Sequence, residues 1–197
     1  GLPIKKSLEL YQAAIRCLAK SGFFPSELTL IIDGSDVETT SKCDGAGRAT
    51  RKKKITNKNG RVREIEVTVH GFKVIAAFEL FTQIPVGIVV TKIERNETKS
   101  TKQLIEQVQR NFADTSSRIT QIVMDRGFLD GEALWWLHTQ DIAFVVPSKS
   151  NMLITTEARL YASDGRGYED RRIDKKVRGR GKNRLVEEKD THVVGVE

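Results

Sequence analysis

The sequence predicts an α/β fold: a mixed β-sheet flanked by helices, with a partial β-rich insertion near the C-terminus. Three observations predict it. Two short apolar runs, Leu28–Ile32 and Ile119–Met124, each stop on an aspartate, Asp33 and Asp125. The second is followed by a helical pattern and another apolar run, Ile142–Val146, closed by Pro147, which together make a βαβ unit. Between the two acids lie stretches that alternate apolar and polar, as antiparallel strands half exposed to water do.

Taken in order, Leu8, Tyr11, Ile15 and Leu18 recur at helical spacing, with Ser7 expected as the cap and Gly22 as the stop. Residues 1–24 thus read as a helical lead-in, 25–150 as the core, and 151–197 as the start of an inserted subdomain. Pro25 breaks the chain before the buried strand Leu28–Ile32, which runs into Asp33-Gly34-Ser35-Asp36. Val37–Arg63, with Gly45, Gly47 and the run Arg51-Lys52-Lys53-Lys54, reads as a mobile basic loop ending in a hairpin at Asn59-Gly60. Ile65, Val67 and Val69 open an antiparallel strand. His70-Gly71 is expected to interrupt it before Phe72–Phe81 resumes, and Gln83-Ile84-Pro85 turns the chain into Val86–Ile93. Ser100 to Gln103 fits a capping box for a helix striped by Leu104, Ile105, Val108 and Phe112. In the βαβ helix, Leu134, Leu137 and one of Trp135 or Trp136 face the sheet, since adjacent tryptophans on a helix cannot both do so. The pattern then weakens. Met152–Tyr161 suits a short helix or strand, Asp164–Gly167 a turn, Arg178–Lys182 a flexible basic segment, and His192–Val196 a strand. A chain that opens GLPIKK without Met and stops mid-strand is expected to be a piece of something longer.

The 197 residues are enough for one well-buried domain, and 39% hydrophobic with 30% charged content is that of a soluble globular protein. No run approaches the ~18 apolar residues of a membrane span. Cys17 and Cys43 have no metal-ligand or disulfide spacing, and His70, His138 and His192 are scattered, which argues against zinc and for a reducing cytoplasm. The net charge of +7 is uneven: Lys42–Arg63 carries +8 and Arg171–Lys189 carries +6, leaving −7 on the rest. Two basic segments on an acidic body suit phosphate-facing surfaces.

Asp33 and Asp125 share a context, since each ends a hydrophobic strand and precedes a flexible residue. If the strands are neighbours, the carboxylates converge at one edge, where they either share a proton or hold a divalent cation. Asp36 is an alternative to Asp33, and Glu38 another acid within reach. The sequence lacks a nucleophile-plus-histidine set and a phosphate-binding Lys-Ser/Thr loop. Hard carboxylate oxygens suit Mg²⁺ or Mn²⁺, and a pair of such ions activates an attacking water or 3′-hydroxyl and steadies the leaving oxygen. Arg126 and Lys149 are placed to offset charge on a scissile phosphate. Lys42, Arg48, Arg51, Lys52, Lys53, Lys54, Arg178, Arg180 and Lys182 are candidates for gripping a DNA backbone.

The segments IIDGSDVETT, VHGFKVIAAFELFTQIPVGIVVT and IVMDRGFLDGEALWWLHTQDIAFVVPSKS, in that order, resemble the catalytic domain of DDE transposases of bacterial insertion sequences. The resemblance covers Leu28 to about Ser150 and implies a ribonuclease-H-like fold in which Asp33 and Asp125 are the first two catalytic acids. It further implies Mg²⁺- or Mn²⁺-dependent cleavage of DNA and transfer of the ends into target DNA, by a homodimer acting in the bacterial cytoplasm. The third acid of that family is a glutamate in a Tyr-x2-Arg-x3-Glu-like signature. Here Tyr168 and Arg171 keep the first spacing, but Lys175 stands where the glutamate belongs. Glu197 is a poor substitute, so the third acid is expected outside the chain and the chain alone is expected to be incomplete as an enzyme. The competing readings are a nuclease or resolvase that never rejoins ends, and an inert DNA-binding remnant.

Overall fold

The computed structural model describes residues 4–56, 59–148, 151–152, 155–156, 159, 168–178 and 185–195, the last two ranges as backbone alone. The chain divides into two compact units, Gly1–Pro147 and Ser148–Glu197.

The first unit is built on a six-stranded sheet. Its elements run α1 (Ile4–Lys20), β1 (Glu27–Thr39), β2 (Gly47–Thr56), β3 (Val62–Glu79), β4 (Pro85–Lys92), α2 (Thr98–Phe112), β5 (Arg118–Met124), a single 3-10 turn (Arg126–Phe128), α3 (Gly131–Thr139) and β6 (Ala143–Val145). The strands lie in the order β2-β3-β1-β5-β6, with β4 also on β3. Pairing is antiparallel among β1 to β4 and parallel from β1 to β5 and from β5 to β6. Four antiparallel strands followed by a parallel βαβ extension make the ribonuclease-H-like arrangement expected from the sequence. Among the described residues no helix is long and apolar enough to cross a membrane.

Alternation along the strands decides which face is core. Leu28, Leu30 and Ile32 of β1, Ile75 and Ala77 of β3, and Ile122 and Met124 of β5 all point to the helical side. There they meet Ile15 of α1, Leu104, Ile105, Val108 and Phe112 of α2, and Leu137 of α3. Trp136 packs against this core while Trp135 is exposed, as two adjacent helical positions require. On the other face Ile31, Phe78, Val123 and Val145 stand level across four strands, and three of them are more than a third exposed.

Helix α2 lies close on β4 because Gly87 has no Cβ; one there would sit 2.7 Å from Val108 Cγ2. The helix also completes that edge strand. Gln107 Oε1 accepts from Ile88 N at 2.7 Å, and Asn111 Nδ2 donates to Val86 O at 3.0 Å. Polar side chains one turn apart thus satisfy backbone groups that β3 does not reach.

Several local expectations are corrected. Ser7 lies inside α1, which begins at Ile4, although Gly22 does end it, with φ +75° and bonds from Gly22 N to Ala19 O and Phe23 N to Leu18 O. Helix α2 begins at Thr98 with Glu97 before it, so Ser100 is a buried position of the first turn and not a cap. β3 runs unbroken through His70-Gly71. Gly71 serves close approach instead, because a Cβ there would strike the Val37 carbonyl of β1. The largest correction concerns Val37–Arg63. Its basic run is no mobile loop but strand β2, paired with β3 from Gly47–Gly71 to Thr56–Val62.

The second unit contains an antiparallel hairpin, β7 (Tyr168–Arg178) with β8 (Leu185–Gly195). Lys175 is a strand residue there. The turn expected at Asp164–Gly167 and the segment containing Arg180 and Lys182 lie outside the described residues, as does Lys149.

Candidate active site at the ends of two parallel strands

Strands β1 and β5 pair in parallel, and their last partners are Ile32 and Met124. The next residues are Asp33 and Asp125, so the two acids emerge side by side from neighbouring strands roughly 4.8 Å apart. Level and face both depend on an irregularity. Leu28 pairs with Ile119 but Thr29 pairs with Gln121, so Thr120 is an extra residue in β5. Without that bulge Asp33 would stand opposite Met124, and Asp125 would fall one residue further along.

Each carboxylate is oriented by its own backbone. Asp33 Oδ1 accepts from Gly34 N at 2.8 Å, and Asp125 Oδ1 accepts from Gly127 N across the 3-10 turn. Both residues are exposed, and among the described residues neither makes an ion pair. Each thus holds one oxygen still and keeps Oδ2 without a protein partner there. Paired hard oxygens of this kind fit Mg²⁺ or Mn²⁺, which take one or two carboxylates and fill the rest of the shell with water and phosphate. No cluster of three His, Cys, Asp or Glu side chains poised for a metal occurs among the described residues.

Asp36 and Glu38, the alternatives to Asp33, point to the helical side of the sheet and are occupied there. Asp36 pairs with Arg51 and lies 3.8 Å from Lys73 Nζ; Glu38 pairs with Arg51 at 3.5 Å and Lys53 at 4.0 Å. The basic strand is thereby split by its own alternation. Arg51 and Lys53 are held by acids of β1, whereas Arg48, Lys52 and Lys54 lie on the face that Asp33 shares, register-opposed to His70, Glu66 and Glu64. Lys42 is exposed in the turn before β2, and Arg126 is exposed beside Asp125. Arg178 closes β7 in the second unit.

Two further side chains reach this edge: Lys73, on β3, and Glu97, at the entry to α2. Lys73 Nζ binds Glu97 Oε1 at 3.0 Å. A Cβ on Gly34 would come within 2.9 Å of Glu97 Oε1, and one on Gly127 within 2.8 Å of Glu97 Oε2. Glu97 reads as part of a polar connection in the sequence. The signal that could have exposed it is the glycine that follows each aspartate, since a glycine at a strand end also marks close approach.

Two cavities of the first unit lie elsewhere. One of about 550 Å³ is lined by Phe112, Arg118, Gln140 and Asp141, at the start of β5, and one of about 670 Å³ by Leu8, Phe72, Lys92 and Arg95. The aspartates are exposed at the edge where the parallel pairing stops.

No curated protein shows significant sequence similarity to the chain. Among solved structures, the piggyBac transposase synaptic complex with hairpin DNA matches with a TM-score of 0.40 and 13% identity, over 73% of this chain and 28% of that one. The Drosophila P element transposase strand transfer complex matches with a TM-score of 0.31 and 12% identity, over 82% of this chain and 38% of that one. The chain thus spans well under half the length of either. The family described as Transposase DDE domain matches residues 25–194, a stretch that holds the sheet, both aspartates and the second unit's hairpin, and the chain belongs to that family.

Proposed function

We propose that this chain is part of the catalytic region of a DNA transposase that cuts DNA phosphodiesters and transfers the freed 3′ ends into target DNA. The observation that carries the reading is the pair Asp33 and Asp125, brought level on adjacent strands, each with one oxygen steadied and one open, in a chain of this family. Asp33 and Asp125 would hold Mg²⁺ or Mn²⁺. When bound, such a cation supplies Lewis acidity at the phosphate and makes a water or hydroxyl nucleophilic at neutral pH. The chain's own residues do the rest. The Gly34 and Gly127 amides fix the carboxylates before any ligand arrives, so little reorganisation is left for the reaction. Arg126 offsets charge on the scissile phosphate, and Lys149 at the end of the core would join it.

DNA would lie along the face shared by Asp33, Arg48, Lys52 and Lys54, with Lys42 at its border. Arg178, Arg180 and Lys182 of the second unit would add phosphate contacts. Two ends must be processed together, so a homodimer on DNA in the bacterial cytoplasm is the working form, and a third acid would complete the metal site. The test is Asp125→Asn in the full-length transposase, with DNA carrying the element's ends. Cleavage should fall by several orders of magnitude with DNA affinity kept. Undiminished cleavage would remove Asp125 from the site. Cleavage without end joining by the native protein would make it a nuclease.

A further inference from the structure

We propose that Glu97 is a positioning residue for the two aspartates. The inference rests on reading Asp33 and Asp125 as the metal-holding pair. Gly34 is one residue past Asp33, and Gly127 is two past Asp125. The Glu97 carboxylate takes the space a side chain would need at both, with Oε1 2.9 Å from the Gly34 Cβ position and Oε2 2.8 Å from the Gly127 Cβ position. It therefore fills a slot between β1 and the turn after β5, and the missing side chains at 34 and 127 are what make that slot. The Gly127 contact bears directly on Asp125. Glu97 Oε2 and Asp125 Oδ1 lie 2.8 and 3.5 Å from the same point, the position a Gly127 Cβ would take. The peptide that carries the N–H bonded to Asp125 is thus backed by Glu97.

The wedge is itself held. Lys73 Nζ anchors Oε1 at 3.0 Å, with the lysine side chain 15% and the glutamate 24% exposed. Lys73 in turn lies near Asp36, which pairs with Arg51 of β2. A carboxylate fixed at one oxygen by a half-buried ammonium, with both oxygens set in the space left by two glycines, has little freedom to swing. With Oε1 engaged by Lys73 and Oε2 beside Gly127, it is placed to support the aspartates. Supports of this kind typically change metal affinity by 10–100-fold when removed.

The experiment is Mn²⁺ titration of this chain, following free Mn²⁺ by electron paramagnetic resonance and amide line broadening at Gly34 and Gly127 by NMR. Far-UV circular dichroism checks the fold of each variant. Asp125→Asn is the control: if it leaves Mn²⁺ binding intact, the metal-holding reading of the aspartates falls, and this inference with it. With that control behaving, Glu97→Ala should weaken Mn²⁺ at least about 10-fold, while Glu97→Gln, which keeps the shape and the Lys73 contact, should stay within about threefold of native. Unchanged affinity in Glu97→Ala overturns the proposal. Equal losses in both overturn it in favour of a purely electrostatic role. A second route avoids emptying the slot. Gly127→Ala pushes on Oε2 and should weaken Mn²⁺. Adding Glu97→Asp, which withdraws the carboxylate by one methylene, should restore most of it. Failure of that rescue counts against the wedge.

Discussion

Four consecutive basic residues, Arg51 to Lys54, should divide two and two in their effect on DNA binding. Arg51 and Lys53 face Asp36 and Glu38 and are ion-paired there. Lys52 and Lys54 share the face of Asp33 and, although opposite Glu66 and Glu64 in register, make no ion pair among the described residues. Exposed side chains of that kind are released to a phosphate at little cost. Each phosphate neutralised contributes ~0.9 to the slope of log affinity against log salt. Lys52→Gln with Lys54→Gln should therefore flatten that slope by about 1.8, which between about 50 and 200 mM salt is a difference of about 12-fold. Arg51→Gln with Lys53→Gln should leave the slope nearly native. Fluorescence anisotropy of a labelled duplex, titrated with NaCl, measures both.

Distance gives the same experiment a second reading. From Ala76, opposite Asp33, back along β3 to Glu66, opposite Lys52, is about 33 Å at roughly 3.3 Å per residue. That is about ten base pairs at 3.4 Å each. The contribution of Lys52 and Lys54 should disappear on duplexes that end well inside ten pairs of the cleaved phosphate. Equal slopes from the two double variants, or a larger change from the Arg51 and Lys53 pair, would refute the assignment of faces.

Three further predictions concern stability and pH. Glu79 is fully buried, and its carboxylate accepts from Phe81 N at 3.1 Å, Thr82 N at 2.8 Å and Thr82 Oγ1 at 2.7 Å. Glu79→Ala strands these donors in the turn after β3 and should cost about 3 kcal/mol in urea unfolding; a loss under about 1 kcal/mol would mean water replaces the carboxylate. Gly71→Ala should cost a similar ~3 kcal/mol, because the obstacle is the Val37 backbone and not a movable side chain; a fully native midpoint would show that β1 and β3 part easily there. Burial pushes the Tyr11 hydroxyl up to about 12, and that hydroxyl has no hydrogen-bond partner among the described residues. A raised acid of this kind keeps its proton in the fold while the unfolded chain loses it above about pH 10, so its stabilisation is present below pH 10 and lost as pH rises towards 12. Tyr11→Phe should be no less stable at pH 7 and should lack that alkaline fall, as thermal melts between pH 9 and 12 would show.

The legible parts of the sequence were those where burial and pattern agree. Leu28–Ile32 and Ile119–Met124 are apolar because both are central strands, and each switches to Asp where their parallel pairing stops; the expected strand end at Asp33 is nonetheless overturned, since β1 runs on to Thr39 against β3. The βαβ unit and the stripe of α2 were visible for the same reason. Strand β2 was not visible. Its composition, four cations in a row, has low strand propensity, and only pairing with β3 and the acids of β1 holds it extended. The caps misled because Ser7 and Ser100 carry the right chemistry at the wrong turn. Glu97 was hidden among its neighbours in ERNETKS, and only the glycines after the two aspartates hinted at the close approach that gives it its place.

The two acids become neighbours through a chain of dependencies that no single motif carries. Parallel pairing of β1 with β5 brings two strand ends together, but it sets neither their level nor their face. The level comes from the extra residue at Thr120, which advances β5 by one position between Leu28 and Thr29. Because side chains alternate, a one-residue change of register also changes the face. Removing the bulge while keeping Leu28 opposite Ile119 would set Ile32 against Val123, which points away from the core, and would turn Asp125 from the face of Asp33. The alternation of Leu28, Leu30 and Ile32 against Ile122 and Met124 opposes that slip, since it would expose one apolar set or bury the other badly. Core packing therefore does more than stabilise the sheet. It is what requires the bulge, and the bulge is what makes two separate aspartates into a pair.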